Sequence, residues 1–193
     1  MIKFSNGNYK ERLLDFIFER NWIELPLFHN NADDEVMRFD FESKPETYCA
    51  NTIRAVFDDV FFQDSELLVI LYGTNSIPAG CGKSKYFSHM RRIFKKYYKS
   101  RDEYVFDDDE PYIIAYRTNR KYFDLDKYLA DYFCDNPRID EIFVSLKKGV
   151  AISLYDRRGM DLVINVPVFC DIMKKKYAEF LIMKDKASLK RDE

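Results

Sequence analysis

The stretch EIFVSLKKGVAISLY, residues 141–155, decides the fold class of this sequence. Apolar and polar residues alternate along 141–146 and again along 150–155, which is the pattern of two half-buried strands. Lys148 and Gly149 supply a tight turn between them, so the stretch predicts a β-hairpin. A second turn at 157–159 leads into residues 162–164, and these segments together predict a three-stranded antiparallel meander.

Four regions that precede this hairpin also have strand patterns. Residues 36–41 alternate between apolar and polar, as in a half-buried strand. Residues 66–72 form a continuous apolar run, which predicts a strand covered on both faces, and we expect it to be the central strand. Residues 103–106 and 112–116 predict two short strands separated by an acidic loop.

Five segments predict helices, and most of them begin at a recognisable N-terminal signal. They are 9–20, a helix capped by Ser43 with Pro45 in its first turn, one opened by Ser84, one capped by Asp124 that stops near Asn136, and one that starts at Pro167. In the last helix we expect an inward face formed by Phe169, Ile172, Met173, Tyr177, Phe180 and Leu181.

These elements predict an α+β fold with a mixed or antiparallel sheet, closed by the C-terminal meander. Four to five helices pack mainly on one face of that sheet. We expect a single domain over residues 1–183, followed by a charged, frayed tail over 184–193.

The composition favours a soluble protein with an aromatic core. Aromatic residues make up 17% of the chain, and each buried ring removes a large apolar area from water. The four cysteines are widely spaced without a CxxC pair, so we expect reduced thiols, no metal and no cofactor. The first residues lack an apolar signal region and the longest strongly apolar run is far too short to span a bilayer, which predicts a cytoplasmic protein with no membrane partner.

Residues 83–101 carry eight positive charges and no acidic residue, although the net charge of the whole chain is −2. Aromatic residues are interleaved with these cations, which resembles a nucleic-acid surface where cations meet phosphates and rings stack on bases. The alternative is a solvated helix face whose aromatics belong to the core and whose charge is neutralised by the acids of 102–110. The candidate binding residues are Lys83, Lys85, Arg91, Arg92, Lys95 and Lys96.

Acidic residues form runs at 33–35, 58–59 and 107–110. None of the runs has the alternating ligand spacing and central glycine of a calcium loop, so surface loops account for them better than a cation site does. Clustered acid can also mimic phosphate and dock on a basic partner. The candidates for such an interaction are Asp107, Asp108 and Asp109.

Catalytic motifs are incomplete in this sequence. Residues 80–84 end in Gly-Lys-Ser as a P-loop does, but Ile77 stands where that motif needs a glycine beside the phosphates. The two histidines, His29 and His89, lie in neither a nucleophile elbow nor an HExxH helix. A hydrolase with a Cys/His site stays open as an alternative, because such partners meet in space and not in sequence.

Residues 155–161 read Tyr-Asp-Arg-Arg-Gly-Met-Asp directly after a predicted strand. With 26–30 and 37–39, this segment resembles a family of bacterial proteins, domain of unknown function 3885. Arg157 stands where that family usually has a second Asp, and the resemblance implies no catalytic residues. Asp156 and Asp161 flank a predicted tight turn whose amides their side chains can bind, so we expect a structural turn more than a binding site. The candidate residues here are Asp156, Arg157, Arg158 and Asp161.

The sequence therefore favours a non-catalytic protein-interaction module of the bacterial cytoplasm, of an immunity or accessory type. Its expected partner is another protein, met through a charged and tyrosine-bearing surface. Nucleic acid or another polyanion, bound through 83–101 and released by salt, is the first alternative. A hydrolase whose pocket contains His29 or His89 is the second.

Overall fold

The structure is a computed structural model, which describes residues 35–62, 66–73, 102–106, 112–134, 140–155 and 159–182. These residues form seven strands and three α-helices. The strands are β1 (Val36–Asp40), β2 (Glu66–Gly73), β3 (Asp102–Phe106), β4 (Tyr112–Asn119), β5 (Asp140–Ser145), β6 (Val150–Tyr155) and β7 (Gly159–Ile164). The helices are α1 (Glu46–Val60), α2 (Leu125–Phe133) and α3 (Pro167–Lys176), with short 3-10 turns at Arg120–Tyr122 and Ala178–Phe180.

The strands form one sheet in the order β1-β7-β6-β5-β2-β4-β3, and neighbouring strands are antiparallel. The fold is therefore α+β with an antiparallel sheet. β5, β6 and β7 pair in succession, but they do not close the sheet, since β1 pairs with the free side of β7. The sequence could not show this pairing, because β1 and β7 are separated by more than 100 residues.

The apolar run in β2 forms an interior strand that is buried at residues 67–70. Residues 67–70 have no exposed surface, so the strand is covered on both faces. β2 lies between β5 and β4, and the middle strand of the seven is β5.

All three described helices pack on one face of the sheet. That face presents the odd-numbered residues of β1, β2 and β5 and the even-numbered residues of β6 and β7, as the register of the strand pairs requires. Phe143 lies at the centre of an aromatic cluster, with its ring centroid 5.0–5.4 Å from those of Phe57, Phe123 and Tyr128. The predicted aromatic core is thus present on the helix-covered face.

Two helix ends differ from their prediction. Ser43 does not cap α1: it has a positive φ of 61° in a turn before the helix, and Pro45 occupies the N-cap position without a side-chain hydrogen bond. Asp124 does cap α2, because its carboxylate accepts a hydrogen bond from the backbone N–H of Lys127. α2 ends at Phe133, before the predicted stop near residue 136.

The predicted inward face of α3 is wrong at one position. Met173 and Tyr177 are buried, and Cys170 is buried with them, whereas Ile172 is 55% exposed. Because one helical residue advances the chain by about 100°, Ile172 lies roughly 200° around the axis from Cys170 and faces away from the core. Leu181 then forms a bridge with Phe39, and the N–H of Ile182 donates to the carbonyl of Arg38, which covers the outer edge of β1.

Two of the five predicted helices, at 9–20 and from Ser84 onward, lie outside the described residues, as does the acidic loop at 107–111. No helix in the described part of the chain is long and apolar enough to cross a bilayer.

Candidate functional site

Asp161 is the one predicted site residue that falls in the described part of the chain. The basic candidates at 83–96, the acidic candidates at 107–109 and the turn residues at 156–158 lie outside it, together with both histidines.

Asp161 forms a bidentate ion pair with Arg38 on the neighbouring strand. The two residues are direct partners in the β1–β7 register. Nε of Arg38 donates to Oδ1 of Asp161 at 2.8 Å, and Nη2 donates to Oδ2 at 2.9 Å. The Asp161 side chain is fully buried and that of Arg38 is 14% exposed. Both carboxylate oxygens are therefore engaged by one guanidinium, the geometry that makes such pairs strong and specific.

This position differs from the predicted role of Asp161 as the flank of a tight turn. Asp161 is the third residue of β7, and its side chain reaches across to β1. Arg38 was not predicted as a site residue, although 37–39 is one of the segments on which the family resemblance rests. The register of β1 against β7 brings these two distant segments together, a relationship that no local pattern can reveal.

The polar row continues one strand further into the sheet. Ser153 on β6 is the register partner of Asp161 and is buried as well. The next partner, Ile142 on β5, is apolar, so the row changes from charged to apolar within four strands. This row lies on the face opposite the three described helices, and its ion pair favours the observed register of β1 and β7. A one-residue slip of β1 against β7 would separate the two charges, and the ion pair therefore stabilises this register.

Glu141 is a second buried acid, on the helix-covered face, and no motif in the sequence marks it. It is 6% exposed at the start of β5, two residues from Phe143. Burial raises the pKa of its carboxyl well above the ordinary value. Among the described residues no hydrogen bond or ion pair to its carboxylate is found. A desolvated acid of this kind either marks a functional site or costs stability at neutral pH.

The acids at 58–59 belong to the last turn of α1 and not to a surface loop, which corrects their predicted setting. Asp59 accepts hydrogen bonds from Nζ of Lys176 and, at 2.5 Å, from the hydroxyl of Tyr177. Asp58 pairs with Arg120 at 3.3 Å. Burial, followed by the hydrogen bond to Asp59, raises the pKa of Tyr177. These contacts join the end of α1 to the end of α3.

Lys148, from the β5–β6 turn, also contacts the end of α1. Its ammonium donates to the carbonyl of Val60 and lies 3.6 Å from the centroid of the Phe62 ring. Burial lowers the pKa of this lysine. A cation at the C-terminus of a helix satisfies a free carbonyl and interacts favourably with the helix dipole.

The outward face of α3 carries large apolar side chains. Val168 is 71% exposed and Ile172 is 55% exposed, and they are four residues apart on the same side of the helix. Lys175 follows three residues after Ile172 and is also exposed. We call these three residues the α3 strip. Val166, just before the helix, adds another exposed apolar side chain.

The described residues include three free cysteines but no cluster of metal-ligating side chains. That part of the chain contains no group of three or more His, Cys, Asp or Glu side chains able to hold a metal ion. Cys49 and Cys170 are buried free thiols, and Cys134 is an exposed one.

Comparison with known proteins identifies a family. A family model described as a domain of unknown function (DUF3885) matches residues 11–185. No curated protein and no solved structure matches the chain. The family match includes both β1 and β7, and hence the Arg38–Asp161 pair. Because the match covers most of its length, the chain belongs to the DUF3885 family.

Proposed function

We propose that this protein is a non-catalytic protein-interaction module and that it binds its partner through the α3 strip. The observation that carries the proposal is the exposure of Val168 and Ile172 on one side of a helix. Exposed apolar side chains are ordinary when they are scattered, but adjacent ones on a rigid element are typical of an interaction site.

The fold holds this helix firmly at both ends. α3 begins three residues after β7, a strand whose register against β1 is stabilised by the Arg38–Asp161 pair. At the other end, Lys176 and Tyr177 both bind Asp59 of α1. Rigid presentation favours binding, because little side-chain and backbone freedom is then lost on association.

Burial of the strip against a partner would be favourable. Removing a valine or isoleucine side chain from water contributes about 1.5–3 kcal/mol when burial is complete. Two such side chains can supply a central apolar contact, provided that a polar rim surrounds it. Lys175 within the strip and Asp171 beside it are exposed and can form part of that rim.

The wider setting of the proposal is a bacterial cytoplasmic protein of an immunity or accessory type. Its support is the sequence, which lacks complete catalytic motifs and segregates its charges. The identity of the native partner tests this setting, since an immunity protein binds a toxin and an accessory protein binds another component of its own system.

The test is capture of partners by the tagged full chain from extracts of its native cells. We expect one stoichiometric protein with the wild type and with Tyr122→Ser, a control that removes an exposed ring outside α3. The double variant Val168→Asp/Ile172→Asp should lose that protein. The absence of any stoichiometric partner for the wild type would overturn the proposal, as would equal capture by the double variant.

A further inference from the structure

We draw no further inference here: the strongest candidate, the buried face of the sheet opposite the three described helices, carries none because nothing in the described part of the chain shows what covers it.

Discussion

Arg38 on β1 and Asp161 on β7 are direct register partners and share two hydrogen bonds, of 2.8 and 2.9 Å. The pair joins two segments that are 123 residues apart in sequence. Its buried position makes it sensitive to the loss of one partner, because an uncompensated charge would remain in the sheet. The pair therefore links the edge strand β1 to the strand from which α3 continues.

Loss of one partner of this pair should destabilise the fold strongly. We expect Asp161→Leu alone to lower the free energy of unfolding by about 3–5 kcal/mol, since Arg38 then stays charged without its carboxylate. Arg38→Met alone should have a cost of similar size. Urea denaturation of each variant measures these changes.

The double variant Arg38→Met/Asp161→Leu provides the control for this prediction. Apolar replacement of a whole buried pair is often neutral, so the double variant should be more stable than either single variant. Additive losses in the double variant would show that the two side chains act independently and would contradict the described pairing.

Glu141 should make stability depend on pH. Burial raises the pKa of its carboxyl above the ordinary 4.5, so the folded state binds a proton more readily than the unfolded state does. Stability must then fall as the pH rises from about 4.5 through the raised pKa. Glu141→Gln removes this titration, so its stability relative to wild type should increase as the pH rises above about 4.5 and should level off above the raised pKa. Unfolding free energies across that range measure the difference.

Ser153→Ala is a suitable comparison for Glu141→Gln, because Ser153 is buried in the same sheet and does not titrate. Its effect on stability should be the same at every pH in the range. A flat difference between wild type and Glu141→Gln would mean that the Glu141 carboxyl is solvated or paired in the folded state.

Adjacent residues of α3 should respond very differently to substitution. Ile172→Ala removes an exposed side chain and should change stability by no more than about 0.5 kcal/mol. Met173→Ala leaves a cavity in the core and should cost about 2–5 kcal/mol. Thermal unfolding compares the two. Equal costs would place Ile172 against the core, as the sequence predicted, and would remove the α3 strip.

The contact between Tyr177 and Asp59 should contribute to stability and to the titration of the ring. A hydrogen bond to a charged group contributes about 1.5–3 kcal/mol, and Tyr177→Phe should lose an amount in that range. Asp59→Asn should lower the pKa of Tyr177 but leave it above the ordinary value, since burial is the larger cause of its rise. Ultraviolet titration, with Tyr177→Phe subtracted, measures that pKa. An unchanged pKa in Asp59→Asn would contradict the described hydrogen bond.

Local patterns predicted much of this fold. The alternation along 141–155 specified β5, β6 and their turn, and the apolar run at 66–72 specified a buried interior strand. Asp124 marked the start of α2 because capping is a short-range interaction. Sheet order depends instead on long-range pairing, and so the position of β1 beside β7 was not predicted. Ser43 failed as a cap because the chain turns through it with a positive φ.

The candidate site was less predictable than the fold. Asp161 was identified from its motif, but its pairing with Arg38 depends on the β1–β7 register, which the motif does not contain. The apolar pattern predicts Ile172 on the inward face of α3, because several apolar residues lie close together in this short helix. In the structure Cys170 occupies that face and Ile172 is exposed. Glu141 looked like an ordinary strand residue, because burial of a carboxyl is set by tertiary packing.

The most direct test of the central claim is the dissociation constant between the full chain and its native partner, measured by titration calorimetry for the wild type and Val168→Asp/Ile172→Asp. We predict a loss of at least about 100-fold in the double variant, since charges replace two apolar anchors. Tyr122→Ser should bind like the wild type. Equal affinity of the double variant and the wild type, with both proteins folded, would contradict a binding surface on α3.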